Sequence, residues 1–130
     1  MFVKVCGIKT KEQIDMAIAY GYDAIGIVTY PKSIRYCSNQ DAIELAEHAR
    51  GKIERFVVGL TYNDVKEVAG AFDYTQIHEA RQVPNLVLAL KEIPPADIDY
   101  TYFIYDASIG SGVFNPFPEW VKGMSESVIV

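Results

Sequence analysis

"FVKVCGIKTKEQIDMAIAYGYDAIGIV", residues 2–28, is the stretch whose reading decides the fold. Its first piece, Phe2–Cys6, is a short β-rich run that stops at Gly7. The second opens with Thr10 and Gln13 at capping-box spacing, repeats Ile14, Ala17, Ile18 and Gly21 on one helical face, and uses Gly21 as its stop. The third, "DAIGIV" (23–28), is continuously apolar, the signature of a strand covered on both faces. Strand, helix and strand in so short a span predict a parallel sheet with helices packed outside it.

The alternation continues outward from there. Ser38 can cap a second helix in which Ala42, Leu45, Ala46 and Ala49 recur at helical spacing before Gly51 closes it. "RFVVGL" (55–60) reads as the third strand, and Val65, Val68, Ala69 and Phe72 give a third helix its apolar stripe. "YTQIH" (74–78), "LVLAL" (86–90), "YTYFIYD" (100–106) and "SVIV" (127–130) read as four more strands. The links "EARQVPN" and "KEIPPADID" fall short of the ~10–12 residues that a helical crossover takes, so irregular connections are expected there. Pro84, Pro94 and Pro95 also oppose helix in them. A last short helix is expected through "FPEWVKG", starting near Pro116 or Pro118.

The 130 residues suit one domain, 1–130, with a core of its own. No apolar run approaches the ~20 residues needed to span a bilayer. Nothing reads as a signal peptide, so a cytoplasmic chain is expected, with no membrane partner. Cys6 and Cys37 are too few for a disulfide framework, and no cysteine or histidine spacing suggests a metal site. A formal net charge of −5 argues against nucleic acid. A phosphorylated small molecule would need backbone amides or a few placed cations.

Ionisable residues gather where the strands end. In parallel α/β proteins the carboxyl ends of the strands carry the chemistry. Cys6 ends the first strand and Asp106 the sixth. A thiolate and a carboxyl can serve as base and acid, since burial and neighbours tune both. Read blandly, Cys6 is a small core residue and Asp106 a cap or turn. "YPKSIRY" (30–36) puts Lys32 and Arg35 after the second strand, and arginine's planar fork suits a carboxylate; a solvated loop is the plain alternative. Gln76 and His78 point the same way on the fourth strand, as substrate contacts or as a satisfied polar network. "IGSGVF" (109–114) follows Asp106, and Gly110, Ser111 and Gly112 can bring backbone amides to an anion or simply form a surface loop.

"VKVCGIKTKEQ", "DAIGIV", "YPKSIRY", "TQIH" and "YDASIGSG" together resemble phosphoribosylanthranilate isomerase of tryptophan biosynthesis, and "MFVKVCGIK" looks most like its archaeal members. The resemblance implies a parallel (βα) barrel of the TIM type, here incomplete with about six to seven strands and no eighth. It implies an Amadori rearrangement of N-(5-phosphoribosyl)anthranilate, an aminoaldose, to the carboxyphenylamino-deoxyribulose phosphate, an aminoketose, with no metal or cofactor. Cys6 would be the general base at C2′ and Asp106 the general acid at the ring oxygen. Arg35 would contact the anthranilate carboxylate, and Gly110–Gly112 would help hold the phosphate. Departures are "HEAR" after the fourth strand, where the family has "HG", and Val113, where it has lysine. An aldose–ketose isomerase is the leading reading; a silent binding protein on the same template, or a piece of a longer isomerase, are the others. With the first and seventh strands as open edges, self-association or completion by another chain is expected.

Overall fold

In the computed structural model, which describes residues 2–106, 119–120 and 127–129, the alternation becomes one sheet of seven parallel strands. The strands are β1 (Lys4–Cys6), β2 (Ala24–Val28), β3 (Glu54–Val58), β4 (Tyr74–Ile77), β5 (Leu86–Leu90), β6 (Tyr102–Asp106) and β7 (Ser127–Ile129). They lie side by side in chain order, each paired with the next. The register sets Cys6 opposite Gly26, Val58 opposite Gln76, and Asp106 opposite Ile129.

Two helices cover the outer face, α1 (Lys11–Ala19) and α2 (Asn39–Ala49). The capping box at α1 forms as its spacing predicts. Thr10 Oγ1 accepts from the Gln13 amide at 3.1 Å, and Gln13 Oε1 accepts from the Lys9 and Thr10 amides at 2.7 and 3.2 Å. Ser38 caps α2 through the Asp41 amide. Ile14 and Ala17 of α1, with Leu45, Ala46 and Ala49 of α2, pack on Ile25, Ile27 and Val57 of the sheet. Ile14, Ile25, Ile27 and Val57 have no exposure, and each such side chain contributes about 1.5–3 kcal/mol of burial.

The expected third helix does not form. Its place is taken by two 3-10 turns, Tyr62–Asp64 and Ala69–Ala71. Val65 and Val68 are buried as the apolar stripe requires, but the ladder mixes i→i−3 and i→i−4 bonds. Gly70 and two β-branched valines in so short a segment work against a regular helix. Asp64 also draws the chain back, accepting from the Leu60 and Thr61 amides at 3.0 Å each. The links after β4 and β5 carry no helix, as their length and prolines predict. Gln82 and Asp99 tie them together, the Gln82 side chain donating to the Asp99 carbonyl and accepting from its amide. "HEAR" braces the turn after β3, since Glu79 accepts from the Tyr62 amide and Arg81 lies over the Tyr62 ring. The expected helix at 117–123 lies largely outside the described residues.

The other face of the sheet touches neither helix. Ala24, Val28, Phe56, Val58, Val87, Ala89 and Ile104 form its core, with Cys6, Tyr74 and Tyr102 packed against them. Phe2, just ahead of β1, meets Phe56 of β3 and Tyr102 of β6, with ring centroids 6.4 and 6.2 Å apart. Contacts between such distant strands mean that the sheet curls around this face, as a partial barrel does.

Candidate active site

Strand alternation decides which side chains enter the concave face. From β1 come Lys4 and Cys6; from β4 and the residue after it, Gln76 and His78; from β6, Asp106. Gly7 follows Cys6 for two reasons. Its φ of +88° lies in the region only glycine adopts freely, and a Cβ there would sit 2.4 Å from Cδ of Arg35. Arg35 therefore lies flat across Gly7, where its Nη1 donates to the Cys6 carbonyl at 3.2 Å. Gly26, opposite Cys6, is a second close approach: a Cβ there would stand 2.8 Å from Cys6 Sγ. The run "AIGIV" thus carries a notch fitted to the sulfur.

Across the concave face, Asp106 is nearly buried. His78 Nδ1 stands 3.4 Å from its Oδ2, and Lys91 Nζ 3.7 Å from the same oxygen. Lys91, next in inward alternation after Val87 and Ala89, also donates to the Asp106 carbonyl at 3.4 Å. Burial pushes the His78 imidazole below its usual range; Asp106 opposes this, while Lys91 and Lys4 add to it. A neutral ring beside a carboxyl is the outcome at neutral pH. Gln76 is 2% exposed and accepts a hydrogen bond from Lys4 Nζ.

Most of the residues singled out in the sequence converge here. Cys6, Gln76, His78 and Asp106 share the concave face, and Arg35 lies at its rim. Lys32 is exposed in the same loop as Arg35. Gly110, Ser111 and Gly112 lie outside the described residues. Sequence reasoning missed Lys4, Gly26 and Lys91. The signal for Lys4 was available, since it stands two residues before Cys6 on the same side of a strand. A cavity of about 720 Å³ opens at the opposite end of the strands, lined by Asp23, Lys52, Glu54 and Asp73 among others. It touches none of these residues, and strand-end chemistry favours the other face. Among the described residues no cluster of three His, Cys, Asp or Glu could hold a metal ion, and no helix is long and apolar enough to cross a membrane.

Fold and site together define an incomplete parallel (βα) barrel of the TIM type, with its ionisable residues at the carboxyl ends of the strands. Within that class the chain is homologous to the N-(5′-phosphoribosyl)anthranilate isomerases. It is 38% identical over 95 residues to the enzyme of that name from Sinorhizobium medicae, covering 70% of this chain and 44% of the relative. The isomerase of Thermus thermophilus superposes with a TM-score of 0.71 at 24% identity, over 94% of this chain and 70% of that one. A phosphoribosylanthranilate isomerase in complex with reduced 1-(o-carboxyphenylamino)-1-deoxyribulose 5-phosphate superposes with a TM-score of 0.61 at 26% identity, over 68% of this chain and 53% of that one. The chain spans less than half the length of the curated relatives it matches. No family model matches it.

Proposed function

We propose that this chain carries the acid–base half of a phosphoribosylanthranilate isomerase and performs its Amadori rearrangement. The observation that supports this most is the pairing of Cys6 and Asp106 across one concave face, with His78 beside the carboxyl. Asp106 delivers a proton to the ring oxygen as the furanose opens to the imine. Cys6 then removes the C2′ proton, and the C–H electron pair moves toward the imine to give an enolamine. Proton uptake at C1′ with release of the C2′ hydroxyl proton turns the enolamine into the aminoketose, so two protons enter and two leave and the atoms balance without any second reactant. A positioned acid or base of this kind contributes typically 10²–10⁴-fold.

Arg35 binds the anthranilate carboxylate in this reading. Its guanidinium lies at the rim of the face, held by the Cys6 carbonyl through one N–H. Gln76 and His78 contact the opened sugar, and Gly110, Ser111 and Gly112 hold the phosphate through backbone amides. β1 and β7 are the edges of the sheet, and we expect a second copy of the chain to pair there. Fluorescence of the anthranilate group follows turnover directly. Conversion of phosphoribosylanthranilate by the purified chain, lost in Cys6→Ser, is the expected result; no conversion above the uncatalysed rate would refute the activity.

A further inference from the structure

β5 and β6 are neighbours whose register sets Leu90 opposite Tyr105, so Lys91 and Asp106 emerge together at the strand ends. Their surroundings differ: the Asp106 side chain is 9% exposed and that of Lys91 51%. A lysine at the rim is free to extend into water, yet this one turns inward at a cost in side-chain freedom. Its Nζ donates to the Asp106 carbonyl at 3.4 Å and stands 3.7 Å from Oδ2. His78 Nδ1 comes to 3.4 Å from the same oxygen. Two nitrogens thus approach one carboxyl oxygen, and both stop short of the roughly 2.7–3.2 Å of an ordinary N–H···O bond.

An imidazole and a carboxyl side by side close into a short, charge-assisted pair when nothing intervenes. A carboxyl closed in that way is committed to the ring and not to a substrate. Around His78 the charged and titratable groups are Lys4 and Cys6 from β1, Asp106 from β6 and Lys91 from the end of β5. β3 contributes Val58, and beyond it the Leu60 carbonyl accepts from the His78 amide. Glu79, next in the chain, is turned to the Tyr62 amide, and Lys4 is held by Gln76. Lys91 is the cation that the fold places against Asp106.

We propose that Lys91 is a positioning residue for Asp106: anchored on the aspartate's own carbonyl, its ammonium holds Oδ2 apart from His78 and keeps the carboxyl open to the sugar. This rests on Asp106 as the group that protonates the ring oxygen. Lys91 itself exchanges no proton with the substrate. A plain ion pair linking β5 to β6 would add little stability and leave His78 and turnover as they are. Burial, then Lys91 and Lys4, push the His78 imidazole down against the pull of Asp106, so the ring reports on both partners of Oδ2.

The test is NMR of the His78 ring in the full chain across pH, with His48 told apart by His48→Gln. Lys91→Met should move the His78 midpoint upward and bring out a low-field ring N–H signal, the mark of a short imidazole–carboxyl hydrogen bond. Lys91→Gln should do the same, and it decides the question if Lys91→Met does not fold. Lys91→Arg should leave both as in the unaltered chain, since the cation is kept. Anthranilate-fluorescence kinetics give the second readout. Lys91→Met should lower kcat about tenfold with KM within about threefold, because the acid shifts by less than the ~1 Å that costs on the order of 10². Lys91→Arg should restore most of that loss. The inference is overturned by an unmoved midpoint or a missing low-field signal in Lys91→Gln, by a Lys91→Arg chain that behaves as Lys91→Gln does, or by an active chain whose kcat ignores Lys91→Gln. An inactive chain in which both signals change as expected removes the isomerase and leaves the hold of Lys91 on Asp106 standing.

Discussion

Substituting Gly26 by alanine adds one methyl group, and the structure says what that methyl meets. It would lie 2.8 Å from Cys6 Sγ, 3.3 Å from Cys6 Cβ and 3.4 Å from its Cα. Carbon and sulfur need roughly 3.5–4.0 Å, so the sulfur must retreat by about 1 Å or the two strands must part. The φ of Gly26 is not in the left-handed region, so alanine brings no backbone strain and the clash is the whole effect. Overpacking of this kind costs about 1–3 kcal/mol of stability. A misplacement of about 1 Å at a reacting group costs on the order of 10²-fold in rate. Gly26→Ala should therefore lower kcat about a hundredfold while KM changes little, because Arg35, the proposed anthranilate contact, is not among the atoms the new methyl meets. Anthranilate-fluorescence kinetics give kcat and KM separately, and a thermal melt checks the fold. A kcat within threefold of the parent chain would refute the placement of Cys6 Sγ at the reacting carbon.

Cys6→Ser and Asp106→Asn should each lower kcat by about two or more decades, as loss of a general base or acid does; unchanged turnover in either removes that residue from the chemistry. Arg35→Ala should weaken anthranilate-bearing ligands by about 1.5–3 kcal/mol and ribose 5-phosphate far less, measured by calorimetric titration, and equal losses would count against a carboxylate contact. His78, with its pKa depressed below 6.5 by burial, resists protonation in the folded chain. Below 6.5 the unfolded chain takes up a proton that the folded chain refuses, so stability falls until the pH reaches the depressed value and then levels off. His78→Gln should lose less stability than the parent between pH 7 and 5 in denaturant titrations, and equal losses would show that His78 is not held neutral. Sedimentation at micromolar concentration should show self-association through the open edges; a monomer with protected amides along β1 and β7 would contradict it.

The strands were legible because each is a short apolar run bounded by a glycine, a proline or a capping residue. The two helices announced themselves through Thr10 with Gln13 and through Ser38. The segment after β3 misled because Val65, Val68, Ala69 and Phe72 have helical spacing, and burial satisfies that spacing whether or not the backbone forms an α-helix. Propensity at Gly70 and the return of Asp64 decided against one, and both are local effects that periodicity does not weigh. Cys6, Gln76, His78 and Asp106 could be assigned to one side because period two fixes the side on which a strand residue emerges. Lys4 escaped notice because a lysine in a short strand reads as a surface residue; only the curl that brings β1 over β4 buries it. Lys91 meets Asp106 for a different reason: β5 and β6 are neighbours with Leu90 opposite Tyr105, so the next residues of each fall together although the sequence keeps them fifteen residues apart.

The central claim is that Cys6 moves the C2′ proton of an aminoaldose on this concave face. Incubating phosphoribosylanthranilate with the chain in deuterium oxide, and reading the recovered aminoketose by NMR, tests it most directly. The chain should yield product carrying a solvent deuteron at C1′, and Cys6→Ser should form it at least a hundredfold more slowly, as loss of a general base requires. Absence of the labelled ketose, or its formation at the same rate in Cys6→Ser, would contradict the account.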